Sequence, residues 1–220
     1  MSFVRFEEYN NKIEAKTSED FGLGFLKAEI GTPEVKRYTV QVPGRDGDPD
    51  LTEALGGVHF GNRTIILYFD REDRGFCDAL YGYEALVNYL HGRKFKIYFS
   101  DNTDYYYVGR ASISHEKETY AESNYTVELI CEPYKYRTNI TEIIVPANID
   151  GEEIKLQNGR MPVNPTFSTS APTRVEFGDV SISIGAGVYV LTAVQLEEGN
   201  NTMKIYSTES STITYREGLI

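Results

Sequence analysis

The chain has 220 residues, 40% of them hydrophobic and 25% charged, which is the composition of a globular chain long enough for one large domain or two small ones. Its formal net charge is −11: the first 136 residues hold 16 basic and 23 acidic side chains, the remainder 6 and 10, so both parts are acidic. Specific binding to nucleic acid through phosphate neutralisation is thereby excluded, and no run of about 18 apolar residues is present to cross a membrane.

The opening MSFVRFEEYN carries acid where a secretion signal needs base and an apolar core, so synthesis and assembly in a cytoplasm are expected. Tyr38 to Val42 (YTVQV) and Thr64 to Phe69 (TIILYF) alternate as strands. Between them runs VPGRDGDPDLTEALGG, Val42 to Gly57, with turn dipeptides at Pro43-Gly44 and Asp46-Gly47. Asp50-Leu51-Thr52-Glu53 reads as a capping box opening a one-turn helix from Leu51 to Leu55, stopped by Gly56.

A long helix is expected over 76–91. Phe76, Leu80, Tyr83, Leu86, Val87 and Leu90 trace one face, Asp73 and Asp78 suit its start, and Gly92 stops it. Burying that face is worth roughly 10 kcal/mol before entropy, enough to hold the helix across a sheet. Lys94 to Phe99, a DNTD loop and Tyr105 to Ile113 then read as a hairpin, and Asn124 to Cys131 as a further strand. Pro133 ends it.

The sequence thus predicts a β-rich domain over 1–136, a linker over 137–145 and a second domain over 146–220. In that second domain TRVEFG, DVSISIG, GVYVLTAVQL, TMKIYS and STITYREG are short strands, with Gly199-Asn200-Asn201 as one of the turns between them. This is the signature of a small β-sandwich.

Catalytic chemistry is not apparent. His59, His91 and His115 are scattered without metal-pair spacing, and no nucleophile elbow or phosphate loop occurs. Cys77 and Cys131 lack paired spacing and read as reduced, buried, small hydrophobes. Asp46, Asp48 and Asp50 match the first three ligand positions of a calcium loop, but Leu51 stands where that loop needs glycine and Gly57 where it needs a bidentate glutamate. No catalytic residue, metal or cofactor is expected. An ordered loop of this kind without catalytic apparatus usually contacts something.

The order of these features resembles the distal tail protein family of phages with long, non-contractile tails, also found in prophages. The resemblance rests on DFGLGF (Asp20 to Phe25), Val42-Pro43-Gly44-Arg45-Asp46-Gly47, Asp50-Leu51-Thr52-Glu53, Gly61-Asn62-Arg63 and Leu90-His91-Gly92-Arg93. It continues through Gly109-Arg110, Glu198-Gly199-Asn200 and Tyr215-Arg216-Glu217-Gly218-Leu219, covering nearly the whole chain in order. What it implies is a mainly β protein: an N-terminal β-sandwich-like domain with one packed helix, and a C-terminal galectin-like β-sandwich. It further implies a homo-oligomer, a hexameric ring at the virion tail tip, with the tail tube protein and the tail-associated, receptor-side hub protein as partners. DNA would pass through the lumen unbound.

Within that frame Pro43, Gly44, Arg45, Asp46, Gly47 and Asp50 form the candidate assembly interface. The plainer alternative is that Arg45 and Asp46 pair within one chain and merely hold the turn. A rival function is a carbohydrate-binding module aiding adsorption to the host surface. It would use some of the 17 tyrosines, since the chain has no tryptophan.

Overall fold

The computed structural model describes residues 2–54, 56–72, 76–116 and 122–220. The chain divides into two compact units, Met1–Pro133 and Tyr134–Ile220. The architecture is mainly β, with one α-helix among the described residues.

The first unit contains β1 (Val4–Glu8), β2 (Lys16–Thr17), β3 (Gly24–Ile30), β4 (Arg63–Glu72), α1 (Phe76–Leu90), β5 (Lys94–Phe99), β6 (Asn102–Glu116) and β7 (Glu122–Cys131). Its strands run β2-β1-β5-β6-β7-β4-β3, and every neighbouring pair is antiparallel. Period-two alternation puts one face inward. Ile65, Leu67 and Phe69 on β4 stand opposite Leu129, Val127 and Tyr125 on β7, and all six are buried. The sheet curls over this face. Phe25 on the edge strand β3 and Phe99 on β5 lie four strand steps apart, yet their rings touch.

The helix closes the same core through Leu86, Tyr89 and Leu90. Of the face read from the sequence, Tyr83 and Val87 pack against that core, whereas Leu80, one turn further out, is 41% exposed. Tyr89, which the apolar count omitted, is buried instead. Its hydroxyl bonds to the carbonyls of Glu14 (2.7 Å) and Phe6 (3.2 Å), so a polar tip ends inside an apolar stripe. The side chains of Phe76 and Cys77, and Asp73 altogether, lie outside the described residues.

Two local expectations change. The DNTD loop is shorter than expected: the turn falls at Ser100-Asp101 and Asn102 already opens β6, because Phe99 pairs with Asn102 after a register shift at Tyr98. Tyr38 to Val42 forms no strand, for a reason given below.

The second unit contains β8 (Lys135–Arg137), β9 (Thr141–Val145), β10 (Asn148–Asn158), β11 (Thr166–Thr169), β12 (Thr173–Phe177), β13 (Val180–Ile184), β14 (Gly187–Val190), β15 (Gly199–Ser207), β16 (Ser211–Tyr215) and β17 (Gly218–Leu219). Two four-stranded antiparallel sheets, β10-β15-β12-β13 and β14-β11-β16-β9, share one core around Leu156, Phe167, Val175, Met203, Ile205 and Ile213. This is a β-sandwich. The linker expected over 137–145 is not one. Thr141–Val145 is strand β9, with Val145 fully buried against Ser211 of β16. Pro133 and Pro146 flank this strand without interrupting it.

Gly199-Asn200-Asn201 is not a turn either but the start of β15. Asn201 is buried there. Its amide donates to the carbonyls of Glu197 (2.8 Å) and Gly199 (3.2 Å) and accepts from the Glu197 N–H (3.0 Å), so an asparagine that signals a turn instead fastens one strand end.

Candidate functional site

Residues 31–62 leave β3 and return to β4 as a two-limbed arm. Its base is in register with the hairpin it extends: the Gly31 N–H bonds to the Thr64 carbonyl, Gly61 to Glu34, and Lys36 to His59. Higher up, Leu51 bonds to Tyr38 and Val40 to Pro49. The lower bridge pairs Val35 with Phe60 and the upper pairs Thr39 with Asp50, so the returning limb has the surplus residues. That surplus folds into turns in which Ala54 bonds to the Leu51 carbonyl (3.0 Å) and Gly56 to that of Glu53 (3.3 Å).

The one-turn helix expected from Leu51 to Leu55 is therefore a turn, and Leu55 itself lies outside the described residues. The capping box does not form: Asp50 Oδ1 accepts the Thr52 N–H at 2.9 Å, two residues on, while Thr52 Oγ1 accepts the Tyr38 N–H from the opposite limb. Hydrogen bonds from the Thr52 side chain and backbone hold the Asp50 carboxyl below its ordinary value.

The tip is built on Gly44 (φ 81°) and Gly47 (φ 74°), both in the left-handed region that favours glycine, with a turn closed by Arg45 N–H to the Val42 carbonyl (3.2 Å). Every residue from 34 to 48 is exposed. Arg45 and Asp46 form no ion pair with each other, and among the described residues neither side chain has a hydrogen-bonding partner. Pro43, Gly44, Arg45, Asp46 and Gly47 thus share one tip, and Asp50 stands below it on the returning limb.

The arm also explains the lost strand. Tyr38, Val40 and Val42 alternate as a strand should, but no third strand or core face meets them, and a lone two-stranded ribbon in water is marginal. Tyr38 is 60% exposed, and Val35, Val40, Val42 and Leu51 are exposed as well. Alternation alone reads as a strand and does not distinguish an exposed ribbon from a buried sheet.

Elsewhere the chemistry is self-contained. A hollow of about 680 Å³ lies against β6 and β7 and is lined by His91, Lys94, Arg110, Glu128, Ile130 and Glu132 among others. Lys94 pairs with Glu132 at 2.5 Å, Arg110 donates to the Gly92 carbonyl, and His91 Nδ1 accepts the Ile113 N–H. Ser112 and Cys131 also line it, and burial keeps the Cys131 thiol protonated. Among the described residues no three His, Cys, Asp or Glu side chains gather as metal ligands, and no helix is long and apolar enough to cross a membrane. Cys131 is buried with a free thiol that burial pushes up to about 12; the side chains of Cys77 and His115 are outside the described residues.

Two tyrosines of the second unit have partners within their own chain. Arg174 covers the Tyr206 ring at 4.0 Å and Lys204 approaches it at 5.0 Å, while Tyr189 donates its hydroxyl to the Ala186 carbonyl.

No protein-family model and no curated protein matches the chain. Among solved structures it is similar to the Dit (gp 19.1) protein of phage SPP1, called a paradigm of the hub adsorption apparatus in phages infecting Gram-positive hosts. That match has a TM-score of 0.67 at 17% identity and covers 100% of both chains. It shows a shared fold across both units. Weaker matches are to the phage P2 baseplate in its activated conformation with Ca and with Sr. Each is 7% identical over 99% of this chain and 98% of the other, with TM-scores of 0.43 and 0.45, which add nothing to the fold assignment.

Proposed function

We propose that this chain is a structural protein of a phage tail tip or baseplate, a non-catalytic ring component that joins the tail tube to the receptor-side hub. The observation that carries the reading is the shared fold over the full length of SPP1 Dit. The ring is hexameric, its partners are the tail tube protein and the hub protein, and it is assembled in the host cytoplasm and retained at the virion tail tip.

The arm is the assembly element, placed against a neighbouring protomer or the adjoining tail ring. A closed ring needs heterologous contacts, in which one face docks onto a different face of the next subunit. Gly44 and Gly47 permit the left-handed turns of the tip, and Pro43 and Pro49 stiffen the exposed ribbon, so less ordering is left to undergo on association. Arg45 offers a planar fork for a carboxylate across that contact, and it spends none of it within its own chain. The net charge of −11 gives passing DNA no phosphate-binding surface.

The test is the size of the protein in solution, alone and mixed with a tail tube or hub protein, for the parent and for Arg45→Ala with Asp46→Ala. Ring formation by the parent, lost in a variant with an unchanged circular dichroism spectrum, supports the reading. Rings of unchanged concentration dependence in the variant remove the arm from the contact, and a parent that forms no ring with either partner overturns the role itself.

A further inference from the structure

A quarter of this chain is charged, yet the 17 residues from Val180 to Leu196 carry no charge at all. They hold β13 and β14, which are the edge strands of the two different sheets of the second unit. Only Gly185 and Ala186 join them, so both edges flank one side of the sandwich. The other two edges are guarded. β10 carries Asp150, Glu152, Glu153 and Lys155 with a register shift between Asn148 and Glu152, and β9 carries Glu142. Open edge strands usually carry such charges or irregularities, because an unguarded edge is a template for another strand.

We infer that two copies of this chain pair antiparallel through β14, centred on Val188, so that their four-stranded sheets become one sheet across a two-fold axis. The hydrogen-bond phase supports this pairing. Leu191 donates to the Pro165 carbonyl at 3.0 Å, which fixes the β14–β11 ladder: Gly187 and Tyr189 bond towards β11, and Val188 and Val190 turn their N–H and C=O groups to the open side. The Val190 carbonyl accepts the Thr192 N–H, whereas Val188 keeps both groups for a partner. Placed opposite its own copy, Val188 exchanges both bonds reciprocally. The same register sets Tyr189 opposite Gly187 of the second copy and Val190 opposite its Ala186, large against small. Val188 and Val190 are 69% and 59% exposed, so two apolar side chains per copy also leave water.

Charge selects a second copy over a basic partner. Copies of a chain carrying −11 repel one another, and meeting at β9 or β10 would bring carboxylates together. Of the four edge strands only β13 and β14 carry no acid, with Asp179 in the turn before β13, whereas a basic partner would be drawn to the acidic surfaces elsewhere. A four-residue edge is far smaller than the roughly 800 Å² per partner of a stable dimer, so the pairing is weak for free chains. It is separate from the ring contact proposed above, whose neighbours are related by rotation and not by a two-fold.

The test uses the full chain with Arg45→Ala and Asp46→Ala, so that association through the arm is separately removed. Sedimentation from micromolar to millimolar protein should show weak self-association. Val188→Pro should abolish it, since that N–H faces away from β11 and proline is tolerated there, and Val188→Lys should abolish it without touching the backbone. In a Cys77→Ser background, Val188→Cys should oxidise to a covalent dimer well ahead of the exposed control Ser181→Cys, because directly opposed residues lie about 5.5 Å apart, within disulfide range. A parent that stays monomeric throughout, association unchanged in both the proline and lysine variants, or equal cross-linking at positions 188 and 181 overturns the pairing.

Discussion

The rings of Phe25 and Phe99 lie 6.2 Å apart, although β3 and β5 are separated by four strand steps in the sheet. Laid flat, four steps of about 4.8 Å would put them some 19 Å apart. The sheet of the first unit is therefore curled over its own core, with Phe25 also against Phe69 at 5.7 Å as the wedge that meets the far wall. Phe25→Ala removes that wedge and should cost about 3 kcal/mol in urea unfolding, while the neighbouring Leu26→Ala, at an exposed position, should stay within about 0.5 kcal/mol. Equal losses at the two positions would mean that the curl is not held by this contact.

A second prediction concerns the row Phe95, Gly109, Cys131 and Arg63, which are cross-strand partners in turn. A Cβ on Gly109 would meet Cys131 Sγ at 2.4 Å and the Ile130 carbonyl at 3.1 Å. Gly109→Ala should lower stability by about 1–3 kcal/mol, and Cys131→Ala in the same chain should recover part of that, because the sulfur is the nearer obstacle. Strictly additive losses would refute the clash.

Alkaline stability follows from the same thiol. Burial raises Cys131 from 9.0 to about 12, and burial likewise raises Tyr107. Between those two values for the thiol the unfolded chain releases a proton that the folded chain keeps, so the unfolded state gains as pH climbs. The melting temperature should hold below pH 9 and fall above it, and the fall should be shallower in Cys131→Ala.

Removing metal should do nothing. Asp50 is engaged by Thr52, and only an ion bound to the native state adds stability by mass action. The melting temperature should be the same with and without a chelator. A drop of several degrees would restore Asp46, Asp48 and Asp50 as ligands.

The arm makes a prediction by contrast with the core. Tyr38→Ser and Val40→Asn change exposed side chains and should move the melting temperature by less than the uncertainty of a surface substitution, about 0.5 kcal/mol in free energy. Both should weaken ring formation, measured by light scattering with a tail partner. A stability loss of core size would place these residues in the fold rather than at a contact.

Where period and burial coincide, the sequence was readable. Ile65, Leu67 and Phe69 alternate and are buried, and Leu86 and Leu90 keep helical spacing and are buried. It misled where the pattern is present without a core to receive it, as at Tyr38 and Val40, and where a polar side chain is buried for its hydrogen bonds, as at Tyr89 and Asn201. Strand β9 was missed because two prolines framed it like a linker, although neither falls on the strand. The tip glycines were legible from turn chemistry. That Arg45 lacks an intrachain carboxylate was not, since only distances between side chains decide it.

The two feet of the arm stand on adjacent, directly hydrogen-bonded strands: Ile30 faces Ile65, and Gly31 bonds to Thr64. Everything between those feet is an excursion that returns to where it began, and closing its ends costs little more or less entropy as its length changes. Residues 33–61 can accordingly be lengthened, shortened or rewritten while the sheet beneath keeps its register. The sheet and the arm are then free to diverge at different rates, and under the docking role proposed for the arm, lineages with one and the same scaffold can exchange partners by altering this ribbon alone.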